Sequence, residues 1–348
     1  MMKLSTMRAV DSTVDTHGSS PIAEQILKQW NHERGTIRFF RSSANFVYRF
    51  RQGGKPCFLR FADTSERMRD TIEAEIDILQ WVARRGMTVT TPLPSRNGNF
   101  VETVMTDLGT FHAVVFAGLE GSQLDIEDLD DSQFGKWGAV LGKLHSTVQG
   151  YTGSALSARN TWREHLEFVR AYLPEEKSAV RSEFEQVASS LQMLPVTPDT
   201  YGLIHFDFEL DNLYWQNQTI GIGDFDDCSY AWYMMDIAFA LRDLFREGID
   251  LHKRSFLAFM RGYRTQHELD AELVSQLPLF LRMAKLLTYA RLVRSMDLSP
   301  HAGEPAWLHS LCLKFENWLD DYKASLETEG AGSSTKGEKK PNEDESQS

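Results

Sequence analysis

Polar and apolar residues alternate from Thr36 to Asp63, as they do in strands that expose one face to solvent. Three runs rich in aromatic or β-branched residues occur there: TIRFF, NFVYRF and PCFLRF. Polar and small residues separate these runs, and Gln52-Gly53-Gly54 supplies a turn between the second and the third. The pattern predicts three strands of an antiparallel sheet.

A helical period follows these strands. Apolar residues recur there at intervals of three or four and predict one buried helix face: Ile72, Ile76, Leu79 and Val82. Gly86 is placed to end this helix, and NFVETVM and FHAVVF indicate two further strands. We therefore predict a compact α+β unit of five antiparallel strands, with one helix inserted after the third strand, that ends near Phe116.

Beyond Leu119 the helical period dominates. Candidate helices cover 132–148, 161–173, 175–192, 235–246 and a series from 254 to about 323. One β-like passage, GLIHFDFELDNLYWQNQTIGIGDFDD, interrupts them. We therefore divide the chain into a flexible start (1–20), a strand-rich unit (21–116), a mainly helical unit (117–326) and a tail (327–348). The tail lacks aromatic and branched aliphatic residues, and we expect it to be disordered.

The interrupting passage contains two acidic motifs. His205, Asp207 and Asn212 form H-x-D-x-x-x-x-N, and a D-F-D group starts at Asp224, after eleven intervening residues. A hairpin with its turn near Asn217 would return the chain to its starting point and bring Asn212 beside Asp224. Carboxylate and amide oxygens hold hard cations and leave positions for phosphate and water. Phosphoryl transfer needs such a site and a separate carboxylate that accepts the hydroxyl proton.

We therefore assign Asp207 as the catalytic base or nucleophile-positioning residue, and Asn212 with Asp224 as ligands of Mg²⁺. A calcium loop over the same acids does not fit. Its sixth position is Asn212, where glycine is needed, and its twelfth is Gln218, where glutamate is needed. The other alternative is a hairpin that merely carries surface acids, which would leave the two paired motifs to chance.

The strand-rich unit offers the groups that this site still lacks. The turn RSSAN, which contains Ser43 and Asn45, can lie over phosphates with its backbone N–H groups, although a plain hairpin turn fits nearly as well. Arg60 stands on the third strand, where a kinase needs a cation for the α- and β-phosphates. Glu75 on the following helix can pair with Arg60, and Glu73 is a neighbouring candidate. An ordinary structural salt bridge is the alternative.

Together these motifs resemble the aminoglycoside phosphotransferase and choline kinase-like family. The resemblance covers roughly 22–323 and rests on segments in the family's order: SANFVYRF, FLRF, AEIDILQWVARRG, VVFAGLEG, LGKLH, HFDFELDN and DFDD-x8-D. It implies a bilobal protein-kinase-like fold with a small antiparallel N-lobe and a larger helical C-lobe. It also implies ATP with Mg²⁺ as cofactors. The expected activity is transfer of the γ-phosphoryl group to a hydroxyl of a small molecule, such as an amino-alcohol, a sugar or an aminoglycoside-like compound.

Residue by residue, the resemblance implies that Asp207 is the catalytic aspartate, that Asn212 and Asp224 bind the metal, and that Glu75 is the helix glutamate. It further implies that Asp236 braces the catalytic loop.

The resemblance also places a hinge, whose backbone receives adenine, at Phe116, Ala117 and Gly118. The chain departs from many members at Arg60, where they carry lysine, although guanidinium can still bridge a phosphate and Glu75.

The composition narrows the classes of binding partner that we expect. The 348 residues contain 37 Lys and Arg against 49 Asp and Glu, so a broad electrostatic contact with nucleic acid or an anionic membrane is not expected. The three cysteines fit neither a disulfide framework nor a zinc site, and no apolar run suits a signal or a membrane span. These features indicate a cytoplasmic protein. The acidic stretch LDIEDLDDS would favour a cationic acceptor, whereas a solvated connection before a helix is the alternative that we favour.

Two other functions stay open at this point. The chain could be a catalytically silent relative that binds a nucleotide or a partner, or a Ser/Thr protein kinase of the same fold. The complete set of Asp207, Asn212 and Asp224 favours an active enzyme, because a silent protein has no reason to keep it.

Overall fold

The structure is a computed structural model that describes residues 1–153, 157–174, 178–301 and 303–334. Its first half is built on a six-stranded antiparallel sheet in the order β1-β2-β3-β6-β4, in which β5 also pairs with β6. The strands are β1 (Arg38–Ser42), β2 (Phe46–Gln52), β3 (Lys55–Asp63), β4 (Thr91–Leu93), β5 (Val101–Thr106) and β6 (Gly109–Ala117).

Helix α3 (Arg69–Arg84) follows β3, as the apolar period predicts, and Gly86 ends it with a φ of 78°. The five predicted strands are present, and the sheet contains a sixth strand, β4, that the sequence pattern does not predict. Strand β4 was missed because it has only three residues, too few for an alternating pattern, and contains Pro92. Proline is tolerated there because β4 pairs only with β6, so its other side needs no donor.

The second half is mainly helical, as expected. Its helices are α4 (Asp131–Val148), α5 (Trp162–Ala171), α6 (Ala179–Gln192), α7 (Tyr233–Ala240), α8 (Arg254–Arg264), α9 (Ala271–Ser275), α10 (Leu277–Ser295) and α11 (Ala306–Ser334). Two short antiparallel pairs lie among them: β7 (Tyr201–Ile204) with β10 (Ser229–Trp232), and β8 (Leu213–Gln216) with β9 (Thr219–Ile222). Within the described ranges, no helix is both long and apolar enough to cross a membrane.

The start of the chain differs from the expected flexible segment. It forms α1 (Leu4–Asp11) and, after a turn, α2 (Pro21–Leu27). The apolar side chains of this start are buried against the sheet: Met2, Leu4, Met7 and Val10. Leu4, Met7 and Val10 recur every three residues, which is a helical signal, but polar neighbours hide it, and the stabilising contacts come from distant parts of the chain.

The end of the chain also departs from the expected tail. Helix α11 continues to Ser334 and so includes the first residues of the segment 327–348. The rest of that segment, 335–348, lies outside the described residues.

Buried apolar side chains form two clusters. One lies between the sheet and the first two helices, and it also includes Leu292 of α10 and Leu308 and Phe315 of α11. The other joins α3 to the two short strand pairs and the helices of the second half. A cavity of about 320 Å³, here the large cavity, remains between the sheet and the β8–β9 pair.

Glycines allow α4 and α8 to approach closely. A Cβ atom on Gly138 would lie 2.0 Å from the carbonyl oxygen of Phe259, and one on Gly262 would lie 1.8 Å from that of Gly135. Backbone atoms cannot yield to such contacts as a flexible side chain can. Both helices therefore depend on glycine at their crossing.

We expect Gly138→Ala to lower the free energy of unfolding by about 1–3 kcal/mol, although alanine is the better helix former. Gly150→Ala is the matched control, because its added Cβ would meet nothing within 4 Å. Urea denaturation measures both variants. Wild-type stability of Gly138→Ala would contradict the close approach of the two helices.

Candidate active site

The loop after β7 is held by a buried carboxylate. Asp236 on α7 accepts hydrogen bonds from the backbone N–H groups of His205 and Phe206, both at 2.8 Å. His145 Nε2 lies 3.0 Å from the same carboxylate. Phe206 has a φ of 71°, which is unfavourable for a bulky residue and is sustained here by these contacts. The resulting bend places Asp207 at the cavity side of the loop, where it borders an opening of about 200 Å³, here the central cavity.

His205 connects this loop to the D-F-D group. Its Nε2 lies 2.9 Å from the carbonyl oxygen of Gly223, and its Nδ1 accepts the backbone N–H of Asp207 at 3.3 Å. Because a carbonyl oxygen only accepts, the proton is on Nε2 and the ring is the neutral tautomer. His205 therefore orients the loop relative to Asp224, the next residue along from Gly223.

The hairpin brings the two motifs together. Asn217 forms its turn with a φ of 53°, and Leu213 pairs with Ile222. At the open end, the N–H of Gly223 donates to the carbonyl oxygen of Asn212 at 2.8 Å. The adjacency predicted for Asn212 and Asp224 is therefore present.

Asn212 also contacts the aspartate of the loop. Its Nδ2 donates to the backbone oxygen of Asp207 at 2.9 Å and to Asp207 Oδ2 at 2.8 Å. This leaves Asn212 Oδ1 as an acceptor. Asp207, Asn212 and Asp224 all border the central cavity.

Asp224 is surrounded by charge. Arg41 Nη2 lies 2.9 Å from Asp224 Oδ2, and Arg60 Nη1 lies 3.4 Å from Oδ1. Burial raises the pKa of Asp224 to about 7; Arg60 opposes this rise and the neighbouring Asp226 adds to it. A further cation at this position would relieve the cost of burying the carboxylate charge.

Arg60 and Glu75 form a bidentate ion pair between β3 and α3. Arg60 Nη1 lies 2.9 Å from Glu75 Oε1, and Nη2 contacts the second carboxylate oxygen. The side chains are only 8% and 1% exposed. Glu73 instead binds Arg69 at 2.7 Å on the exposed side of the helix. Of the two glutamates considered from the sequence, Glu75 is the partner of Arg60.

The small-residue turn lies over the large cavity. Ser43 and Asn45 both border it. The Asn45 side chain points away from the turn and donates to Asp226 Oδ2 at 2.8 Å. The N–H of Ser43 donates to the carbonyl oxygen of Asn45 at 3.2 Å, so it is used inside the turn. Asn45 thus fixes the turn to the D-F-D group.

The segment from Phe116 to Gly118 borders the large cavity, as do Asp211 and Asp224. Phe116 packs under the guanidinium of Arg60, whose central carbon lies 5.0 Å from the ring centroid. The N–H of Gly118 donates to the carbonyl oxygen of Pro56 at 3.0 Å. Because that donor is already used, the Gly118 N–H does not face the cavity as a free group.

Two further arginines, which no sequence pattern predicts, bind the acids that follow Asp224. Arg67 Nη2 lies 2.6 Å from Asp226 Oδ2 and 2.8 Å from Asp227 Oδ1, and Arg291 Nη2 lies 3.0 Å from Asp227 Oδ2. Burial alone would raise the pKa of Asp227, but Arg291 and Arg67 bring it well below its usual range. Both arginines are distant along the chain, so no local pattern points to them.

A third opening of about 180 Å³, here the side cavity, adjoins the central cavity. Two arginines, Arg242 and Arg246, line it together with five acids: Asp125, Glu127, Glu209, Asp211 and Asp243. Glu209 contacts Arg242, and burial together with the charge of Asp207 raises the pKa of Glu209 to about 8.

The acidic stretch before α4 therefore divides between two roles. Asp130 caps the helix by accepting the N–H of Gln133 at 2.8 Å, as the solvated alternative predicts. Asp125 and Glu127 instead border the side cavity.

The model of the phosphotransferase enzyme family matches residues 36–272 of the chain, a span that contains the sheet, both acidic motifs and Asp236. The chain belongs to this family. The expectation that the protein is a kinase is thereby confirmed.

Several proteins are similar to this member of the family. Amicoumacin kinase of Bacillus subtilis (strain 168) is 29% identical over 290 residues, which cover 79% of this chain and 86% of that protein. A homoserine kinase of Sinorhizobium medicae is 25% identical over 222 residues, 62% of this chain and 66% of that protein.

Solved structures confirm the protein-kinase-like bilobal fold. Amicoumacin kinase hAmiN, in complex with AMP-PNP, Ca²⁺ and Ami, has a TM-score of 0.74 at 23% identity and covers 88% of this chain and 92% of that chain. A microcompartment-associated aminopropanol kinase has a TM-score of 0.70 at 26% identity and covers 89% of this chain and 97% of that chain.

We expect Glu75→Gln to lower the free energy of unfolding by about 3–5 kcal/mol, because it leaves the buried guanidinium of Arg60 without its main partner. Glu73→Gln removes the same charge from an exposed pair on the same helix, and we expect it to change stability by less than about 0.5 kcal/mol. Equal losses in thermal or urea unfolding would contradict the assignment of the buried pair.

Proposed function

We propose that the protein is an ATP- and Mg²⁺-dependent kinase that transfers the γ-phosphoryl group to the hydroxyl of a small molecule that also carries an amino group. One observation carries the proposal. The central cavity, which Asp207 borders, shares Asn212 and Asp224 with the large cavity and shares Glu209 with the side cavity. A nucleotide, a reaction centre and an acceptor can therefore occupy three adjoining spaces.

The large cavity suits a nucleotide. Apolar side chains, Val47 and Phe116 among them, line the part that would receive the base. Arg41 and Arg60 line the part beside Asp224, where guanidinium groups would bind phosphate oxygens. Because the Gly118 N–H is already used, we expect other backbone groups of this segment to contact adenine.

The oxygen groups beside the phosphate part fit a hard cation. Asn212 Oδ1 and the Asp224 carboxylate would hold Mg²⁺, and burial of the Asp224 charge provides the electrostatic reason. When bound, the ion would neutralise part of the charge on the nucleotide phosphates.

Asp207 is the proposed base. Asn212 Nδ2 donates to Asp207 Oδ2, and Asp207 Oδ1 would receive the acceptor hydroxyl. The hydroxyl oxygen forms the new bond to the γ-phosphorus while the bond to the leaving ADP oxygen breaks, and Asp207 takes the hydroxyl proton. Asn212 and the bend at Phe206 fix the direction in which Asp207 points.

The side cavity indicates the class of acceptor. Because the raised pKa of Glu209 keeps it mostly protonated at neutral pH, four charged acids stand against two arginines, and the cavity is still negatively charged. The two arginines contact Glu209 and Asp243. A cationic amino group would be favoured there. The names of two related kinases, aminopropanol kinase and homoserine kinase, denote acceptors with both a hydroxyl and an amino group. At about 180 Å³, the cavity suits a small molecule better than a protein side chain on a folded partner.

We expect Asp207→Asn to lower kcat by about 10²- to 10⁴-fold, because the general base is lost while the shape of the side chain is kept. Asp107→Asn, at an exposed position between β5 and β6, is the control and should leave kcat unchanged. Both are assayed by ADP release with Mg²⁺ over a panel of amino-alcohols, sugars and aminoglycosides. An unaffected Asp207→Asn variant, or a wild-type protein silent on the whole panel, would overturn the proposed function.

Removal of acids from the side cavity should raise KM selectively. We expect Asp125→Asn and Glu127→Gln each to raise KM for amine-bearing acceptors several-fold, with little change for uncharged alcohols. Asp131→Asn is the matched control in the same acidic stretch, because Asp131 pairs with Arg254 and does not line the cavity. A wild-type enzyme that prefers uncharged alcohols would rule out the amine assignment.

A further inference from the structure

We propose that the N-terminal strap, residues 2–11, is a positioning element for the reaction: it holds the turn between β1 and β2 at the place from which that turn contacts the nucleotide phosphates. The inference rests on the proposed function for its catalytic consequence. The strap lies outside both acidic motifs, and the sequence alone indicated a flexible segment.

Both ends of the strap bind the turn. The N–H of Met2 donates to the carbonyl oxygen of Ser43 at 2.8 Å. At the other end, the Ser42 hydroxyl donates to the Asp11 carboxylate. On the opposite side, Asn45 binds Asp226, so the turn is held between the strap and the D-F-D group.

The middle of the strap is anchored to the second half of the chain. The N–H and the hydroxyl of Ser5 donate to Asp297 at 3.0 and 2.5 Å. Arg8 Nη1 lies 2.5 Å from Glu304. Asp297 and Glu304 both belong to the connection between α10 and α11, so the strap spans from the turn to the C-terminal helices.

A third anchor involves Glu66, whose side chain is only 4% exposed. It accepts the N–H of Lys3 at 3.2 Å and also binds Arg294 of α10 at 2.6 Å. The strap, the loop after β3 and α10 therefore meet at one buried carboxylate.

Packing makes the strap rigid. Met2, Leu4, Met7 and Val10 are each 4% exposed or less, and they belong to the same apolar cluster as Phe46, which begins β2 next to the turn. Leu292 and Phe315, from α10 and α11, are in that cluster too.

This arrangement explains how a turn without glycine is positioned. The tip of a hairpin is ordinarily one of the more mobile parts of a fold. Here the Ser43 N–H is used inside the turn, and its carbonyl is bound by the strap. A turn that is already ordered loses less conformational entropy when it binds phosphates, so the strap should increase nucleotide affinity.

A double-mutant cycle tests the side-chain contact. Neither Asp11 nor Ser42 borders the large cavity. We expect Asp11→Ala and Ser42→Ala each to raise KM for ATP about two- to tenfold, because each removes one hydrogen bond, while KM for the acceptor stays unchanged. The double variant should be no worse than either single variant. Unchanged KM for ATP, or effects that simply add, would overturn the proposal.

A matched pair of core variants separates positioning from general stability. Leu4 and Leu308 are both fully buried in the same cluster, and only Leu4 belongs to the strap. We expect Leu4→Ala and Leu308→Ala to lower the melting temperature comparably. Only Leu4→Ala should also raise KM for ATP and accelerate amide hydrogen exchange in residues 42–45. Equal changes in both variants would reduce the strap to a stability element and overturn the proposal.

Hydrogen exchange does not depend on turnover, so the two proposals can fail separately. If the wild-type protein transfers no phosphate but exchange in 42–45 still accelerates only in Leu4→Ala, the proposed function fails and the strap still holds the turn. If exchange is unchanged in Leu4→Ala, the strap is refuted, whatever the activity of the wild-type protein.

Discussion

The buried carboxylate of Asp236 fixes the backbone from which the candidate active site is built. A carboxylate without access to water is costly unless hydrogen-bond donors replace its hydration. Asp236 has three such contacts: the backbone N–H groups of His205 and Phe206 and the imidazole of His145. Two of them fix a backbone bend that a phenylalanine would not adopt freely. The position of Asp207, and through Asn212 that of the hairpin, follows from this bend.

Beside this loop, the site contains one buried and one exposed arginine. Arg60 is locked against Glu75 and has a side-chain exposure of 8%, whereas Arg41 is 42% exposed at the edge of the turn. Both contact Asp224. Under the proposed function, the guanidinium of Arg60, fixed by the sheet, would hold a phosphate in a constant position, and the exposed Arg41 would give up its contact with Asp224 to a bound metal ion. Arginine at position 60 suits this geometry because its planar fork binds Glu75 bidentately.

Several contacts join the two halves of the molecule. The backbone from Phe116 to Gly118 is continuous between them at the edge of the large cavity. One apolar cluster joins α3 to the helices of the second half, and the other joins the N-terminal strap and the sheet to α10 and α11. Burial of apolar surface in both clusters opposes separation of the halves. The strap therefore holds the turn over the cavity from one side, and the bond between Asn45 and Asp226 holds it from the side of the site.

The sequence by itself determined the fold class, the two acidic motifs, the hairpin that brings Asn212 to Asp224, and the position of Arg60 on a strand. These follow from periodicity and turn chemistry within short segments, and the order of the motifs matches a known family. The tertiary structure decided which of Glu73 and Glu75 pairs with Arg60, and it brought Arg67 and Arg291 to Asp226 and Asp227. It also buried residues 2–11, the N-terminal strap, which lie in the segment predicted to be flexible. These outcomes depend on contacts between residues far apart in the chain. Such contacts leave no pattern within a short segment of the sequence.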